Sequence, residues 1–295
     1  MPAVTLDHLN TLDRQAFVAA LGDIYEHSPW VADAVASARP YKTLAALHQA
    51  MTAAVSGAGE DRQTELIQAH PDLADKAATA VDPIEDSIPG QICAGLDKLM
   101  PDEYERFQTL NEAYKAKFGF PFIVCVPRHT KDSILHQFEI RLQNGSETEC
   151  GTALEEIFRI AALRLDQHVS GPDRLKVHGR LSTHVLDNHA GRPGEGIGMQ
   201  LFELSQAGER RLVTRAITNT DGRTDSPLIG GRPLPTGRYE LVFAIGEYFA
   251  ENDVPGGEPR FLDTVPIRFA ISEPEGHYHV PLLCTPWSYS TYRGS

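Results

Sequence analysis

"VPIRFAI", residues 265–271, sets the fold of the second half of the chain. Val265, Ile267, Phe269 and Ile271 fall on one side of an extended chain, with the residues between them on the other. That two-residue period is the mark of a half-buried strand. Outward from it, "RYELVFAI" (238–245) repeats the pattern with Tyr239, Leu241, Phe243 and Ile245, and "IGMQLFEL" and "RRLVTRAITN" are similar. Clusters of Gly, Pro and Asp separate the runs, as in "NTDGRTDSP", "GGRPLPTGR" and "NDVPGGEPR". Short strands with frequent turns predict an antiparallel β-sandwich over residues 181–295.

Upstream the period changes. In "PDEYERFQTLNEAYKAKFGF" (101–120), Tyr104, Phe107, Leu110, Tyr114 and Phe118 recur at three- and four-residue steps, with Pro101 at the start and Gly119 at the end. Helix termini favour that placement of proline and glycine. "TALEEIFRIAALRL", "SILHQFEIRL" and the face made by Phe17, Val18, Leu21 and Ile24 behave alike. Residues 1–166 are therefore expected to be all-helical. The stretch 167–180 is polar, bears Gly and Pro, and reads as a linker. The fold class is multidomain α and β.

Bulk properties narrow the function. With 295 residues, 41% apolar and 23% charged, the chain has a globular composition and room for two domains. No apolar run reaches the roughly 18 residues of a membrane span. "MPAVTLDHLN" lacks the basic and apolar regions of a signal peptide, and the ending RGS is not a peroxisomal signal. Cys93, Cys125, Cys150 and Cys284 are scattered, which fits a reducing cytoplasm better than a disulfide framework. A net charge of −13 argues against nucleic acid as a partner.

The last residues, "HYHVPLLCTPWSYSTYRGS", carry chemistry. His277 and His279 share one strand face, about 7 Å apart along it. Tyr278, Val280 and Leu282 point the other way. In "LSTHVLD", Leu181, Thr183 and Val185 share one face, and Ser182, His184 and Leu186 the other. Arg223 sits in a turn. Exposed strand histidines and a turn arginine are often without function. A His-x-His pair also suits a metal, given a third ligand such as His184 or His189.

"LSTHVLDNHAGRPGEGI", "TNTDGR" and "HYHVPLL…YSTYRGS" together resemble the transthyretin-like 5-hydroxyisourate hydrolases over residues 181–295. The resemblance implies a site made of His184, Arg223 and His279 with the terminal Tyr292, Arg293, Gly294 and Ser295, and His277 beside them. Ser295 counts there with the catalytic groups. It implies hydrolysis of a urate-derived bicyclic substrate with no cofactor and no metal, in a homo-oligomer that is a tetramer through this domain. Histidine supplies a base near neutral pH, and Arg223 and Arg293 are donors suited to a developing oxyanion. Transthyretin itself, a binding protein, shares the sandwich but lacks the two histidines and the YRGS ending.

In the first half, "LIQAHPDLADK" breaks a helix at His70-Pro71, which places the imidazole at a helix end, where it would ordinarily serve only as a cap. "FGFPFIVCV" is an apolar loop that leaves a helix and runs extended. With "EHSPWVADA", "AGLDKL" and "RIAALRL", these resemble 2-oxo-4-hydroxy-4-carboxy-5-ureidoimidazoline (OHCU) decarboxylase over residues 10–166. The resemblance implies an all-helical, cofactor-free enzyme, usually dimeric. His70 would be its acid/base group. Ser87, Gln91, the backbone of Phe120, Pro121, Phe122 and Ile123, and Arg164 would bind substrate. It departs at "SIPGQ", where Gly90 replaces the expected catalytic glutamate.

The pair of resemblances implies two consecutive steps of urate breakdown, from 5-hydroxyisourate to OHCU and then to (S)-allantoin. The order, with the hydrolase second, is similar to that of bifunctional enzymes making (S)-allantoin. Both substrates are small molecules. Gly90 leaves an alternative in which the helical domain is weakly active or serves only assembly.

Overall fold

The computed structural model of the protein describes residues 4–73 and 101–294. Ser87, Gly90, Gln91 and Ser295 lie outside the described residues. The chain divides into two compact units, Met1–Val126 with Ser133–Val177, and Pro127–Asp132 with His178–Ser295.

The first unit is helical. It holds α1 (Leu6–Thr11), α2 (Arg14–Leu21), α3 (Trp30–Val35), α4 (Leu44–Ser56), α5 (Glu60–Gln68) and α6 (Pro101–Phe118). It also holds α7 (Lys131–Arg141), from Ser133 onward, and α8 (Ser146–His168). Start signals act as short polar side chains should: Thr5, Asp13 and Thr43 each accept the N–H three residues on. Gly119, at φ +76°, stops α6 in the left-handed conformation that glycine takes without strain. The apolar faces meet in one core, with Phe17, Met51, Phe107, Phe138, Ile157 and Leu165 buried.

Residues after α8 belong to this unit too. β2 (Val169–Ser170) pairs in parallel with β1 (Val4–Thr5), and the Asp173 carboxylate accepts the Leu44 and Ala45 N–H groups that open α4, at 2.7 and 3.1 Å.

Charge also enters the helical core. Arg141 of α7 and Glu149 of α8 are both buried, with Arg141 Nε donating to Glu149 Oε1 at 2.8 Å. Asn144 Nδ2 donates to the other oxygen at 2.7 Å, and Tyr114 adds its hydroxyl. Burial and this neighbouring carboxylate push the Tyr114 phenol up, so it stays a donor.

The second unit is the sandwich. One sheet is antiparallel, in the order β10 (Val265–Ile271), β9 (Gly237–Phe243), β6 (Gly198–Leu204), β7 (Arg210–Ile217). A second has β11 (His277–His279), β3 (Gly179–Ser182), β8 (Ile229–Arg232). A third has β13 (Ser288–Ser290), β12 (Leu282–Thr285), β4 (Val185–Asp187), β5 (Arg192–Pro193). Inward residues of these strands form the second core, Leu181, Val185, Leu241, Phe243, Tyr278 and Leu282 among them.

Two details differ from the alternation reading. The run 238–245 ends as a strand at Phe243, and Ile245 opens a helix, α9 (Ile245–Glu251), whose Ile245, Tyr248 and Phe249 pack inward. β7 is an edge strand and leaves Leu212 and Ile217 exposed.

Removing one partner of a buried ion pair strands the other charge in a low-dielectric core. Arg141→Met is expected to lower stability by about 3–5 kcal/mol, and Arg141→Met/Glu149→Leu to recover most of that loss. Urea denaturation of the two variants checks this.

Candidate active sites

The histidine face of the sandwich comes from two parallel strand pairings in one register. β11 runs parallel to β3, with Tyr278 opposite Leu181 and His279 opposite Ser182. β12 runs parallel to β4 in the same register, with Leu282 opposite Val185. Between them the ladder is continued by Val280 N–H to Ser182 O at 3.0 Å and Leu282 N–H to His184 O at 2.9 Å. Partners in a ladder point the same way, and so do residues two apart along one strand. Arg180, Ser182, His277 and His279 therefore share a face, while Leu181, Val185 and Tyr278 are buried in the core.

Arg223 arrives by a constrained turn. Asn219 Oδ1 accepts the N–H groups of Asp221 and Arg223, both at 3.1 Å, and Gly222 O accepts Val185 N–H at 2.8 Å. Gly222 has φ +70°, and a Cβ there would stand 2.3 Å from Val185 O. Only glycine satisfies both conditions. The result is a bridge between His184 and Arg223.

The chain end closes on His279. Gly294 bridges His279, donating its N–H to the His279 carbonyl at 2.9 Å. A Cβ on Gly294 would lie 2.7 Å from His279 Cδ2, so the backbone lies against the imidazole. Arg293 is held over the ring of Tyr278, 5.0 Å from its centroid, and Tyr292 is exposed. His189 packs its ring against Trp287. Among the described residues no group of three His, Cys, Asp or Glu is placed to hold a metal ion.

Both half-buried histidines are kept neutral. Burial, then the Arg223 charge, lowers His184 below its ordinary 6.5, against an opposing pull from Asp221. His279 is lowered by burial, then by Arg223, His184, His277 and Arg180. Neutral imidazoles beside a guanidinium can take a proton from water while the cation faces developing negative charge.

In the helical unit, His70 follows α5 and is buried, 8% exposed. Its Nδ1 lies 2.9 Å from Leu66 O. A carbonyl only accepts, so the proton of the neutral ring sits on Nδ1 and Nε2 carries the lone pair. The turn is tied to α6 by Asp72, which accepts from Asn111 at 2.9 Å and Lys115 at 2.6 Å. Gln68 Nε2 reaches Gly119 O at 3.4 Å, which brings the His70 turn to the start of the Phe120–Ile123 ribbon.

Phe120, Phe122 and Ile123 are buried and Pro121 half-buried. The ribbon is held at its far end from both sides: Arg141 donates to Ile123 O at 2.7 Å, and Cys125 N–H donates to Glu156 Oε2 at 2.7 Å. Arg164 ion-pairs with Glu26 and also donates to Asp23 O at 3.2 Å. Sequence reasoning missed Glu26, Arg141, Glu149 and Glu156. For Arg141, Glu149 and Glu156 the one signal was charge at positions that α7 and α8 turn inward; Glu26, between α2 and α3, gave none.

The two units thus define a two-part enzyme class, a helical bundle with a buried histidine and a sandwich with a paired-histidine face. The OHCU decarboxylase family profile matches residues 10–166, and the HIUase/Transthyretin family profile matches residues 181–294. The chain is 42% identical over 167 residues to 2-oxo-4-hydroxy-4-carboxy-5-ureidoimidazoline decarboxylase of Halalkalicoccus jeotgali, covering 57% of this chain and 93% of that one. It is 50% identical over 117 residues to 5-hydroxyisourate hydrolase 2 of Rhizobium meliloti, covering 40% of this chain and 97% of that one. A crystal structure of (S)-allantoin synthase matches with TM-score 0.53 and 38% identity, over 99% of this chain and 100% of that chain. The chain belongs to the OHCU decarboxylase family in its first part and to the HIUase/Transthyretin family in its second.

Two outcomes test the sandwich geometry. Arg223→Gln removes a cation that disfavours imidazolium, so His184 and His279 should both titrate at higher pH than in the wild type. Histidine ring resonances in an NMR titration read this directly. Gly294→Ala should displace the His279 ring and cut hydrolysis of 5-hydroxyisourate at least ~10-fold, with little change in melting temperature.

Proposed function

We infer that the chain performs two consecutive steps of urate breakdown. The sandwich hydrolyses 5-hydroxyisourate to OHCU, and the helical unit decarboxylates OHCU to (S)-allantoin. The observation that carries the reading is the pair of bridges, His184 to Arg223 and His279 to Gly294, with the Arg223 charge acting on both imidazoles. The full-length likeness to (S)-allantoin synthase supports pairing the two steps in one chain.

In the hydrolase step, water loses a proton to an imidazole as its oxygen bonds to the acyl carbon. His279 is the better placed base, held between Ser182 and the chain end. Arg223 faces the oxyanion. The ring C–N bond then breaks, and the proton goes from the imidazole to the leaving nitrogen. Tyr292 and Gly294 wall the site beside His277, Arg293 anchors the chain end over Tyr278, and Ser295 is assigned to the catalytic groups.

In the decarboxylase step, the C–C bond to the carboxylate breaks, CO₂ leaves with its oxygens, and the electron pair stays on carbon. His70 acts as the imidazolium, keeping Nδ1–H on Leu66 O and giving that carbon the Nε2 proton from one side, which makes the product a single enantiomer; the neutral ring then regains a proton on Nε2 from water. Ser87, Gln91, Arg164 and the Phe120–Ile123 backbone hold the substrate. Gly90 favours a second reading for this unit, in which decarboxylation is slow or lost and the helices serve assembly.

Both substrates are small molecules. Assembly is proposed to be a tetramer through the sandwich, with further dimer contacts through the helices, in the cytoplasm. Among the described residues no helix is long and apolar enough to cross a membrane.

Supplying urate oxidase product and following absorbance and circular dichroism tests both steps. His279→Asn should slow loss of 5-hydroxyisourate by ~10²–10⁴ and leave decarboxylation of added OHCU alone. His70→Asn should keep hydrolysis but give racemic allantoin at the spontaneous rate, and Gly90→Glu should speed (S)-allantoin formation. Racemic product from wild type would overturn the decarboxylase reading.

A further inference from the structure

Ser182 Oγ lies 3.0 Å from His279 Nδ1 and 3.4 Å from His277 Nε2. Ser182 is buried, His279 half-buried and His277 exposed. A hydroxyl has one proton to give and lone pairs to accept with, so between two imidazole nitrogens it donates to one and accepts from the other. We propose that Ser182 and His277 form, with His279, a proton relay that passes the charge gained on deprotonating water from the half-buried imidazole to the exposed one. The proposal rests on the hydrolase reading of this site.

The relay has two matched states. In the resting state His279 Nδ1–H donates to Ser182, and the Ser182 hydroxyl donates to His277 Nε2. His279 Nε2 then holds a lone pair, as a base must. When water gives its proton to Nε2, the Nδ1 proton passes to Ser182 Oγ, and the Ser182 proton passes to His277 Nε2. His279 ends neutral, Ser182 is unchanged, and His277 becomes imidazolium at the surface. The longer outer distance closes by rotation of the exposed ring. When the C–N bond breaks, Nε2–H goes to the leaving nitrogen and the relay runs backward, restoring Nδ1–H. Protons balance, and no external reagent is needed.

The surroundings explain why the charge should move. The groups that act on His279 are Arg223, His184, His277 and Arg180, cations or bases throughout, and burial adds to their effect. A full positive charge held there is costly, whereas His277 meets water, where charge is screened. Ser182 touches no reacting atom in this scheme and is a positioning and relay group.

The test uses the full chain with 5-hydroxyisourate. Ser182→Ala and His277→Ala should each lower kcat about 10-fold with KM unchanged, and the double variant should be no slower than either single one. Ser182→Thr keeps a hydroxyl and should restore turnover. Added imidazole should rescue His277→Ala and leave Ser182→Ala slow. Full activity in His277→Ala, independent losses that multiply, or failure of imidazole rescue would each overturn the relay. Absence of accelerated hydrolysis in wild type would instead overturn the hydrolase reading.

Discussion

Everything on the sandwich's histidine face depends on the register shared by two parallel strand pairs, β11 with β3 and β12 with β4. Tyr278 lies opposite Leu181 and Leu282 opposite Val185, and the ladder between them does not slip. A shift of one residue would turn His277 and His279 into the core and Tyr278 out to water. Burial of Leu181, Val185, Tyr278 and Leu282 on the opposite side fixes that register, so the apolar core decides where the imidazoles point. Thr183 reinforces it, donating its hydroxyl to Val280 O at 2.7 Å where the strands break.

The helical unit solves a different problem. Its Phe120–Ile123 ribbon has little regular pairing to hold it, and buried charges take over. Glu149 and Glu156, two turns apart on α8, reach the ribbon, one through Arg141 and one directly at Cys125 N–H. Each carboxylate is matched by an arginine, Arg141 for Glu149 and Arg159 for Glu156, which keeps burial tolerable. The same helix carries Arg164, already engaged with Glu26. One rigid helix thereby sets both the ribbon and the cation.

Much of this was legible in the residues. Alternation placed Ser182 and His184 on one face and His277 and His279 on one face, and three-to-four spacing marked the helices and their Pro101 and Gly119 ends. Strand neighbours were not legible, because alternation is blind to which strands pair and in which direction. The short α9 was hidden because Ile245 also continues the alternation of 238–245. Arg141 meeting Glu149 could not be read from spacing across the turn between α7 and α8. The stretch 167–180 looks like tether by composition, yet Val169, Leu175 and Val177 are buried and Asp173 caps α4. Gly294 shows its purpose only when the His279 ring is seen against it.

The parallel pairing has a kinetic consequence. The histidine face joins residues near 182, near 223 and near 279, so it exists only once a loop of about a hundred residues has closed. Closing such a loop costs entropy before any contact rewards it, and non-local pairings of this kind are slow to form. The outer sheet of β6, β7, β9 and β10 is built instead from strands adjacent in sequence or nearly so. That sheet can form early in folding, while the site is among the last features of the sandwich to appear. A chain caught partway would carry that four-stranded sheet and none of the chemistry.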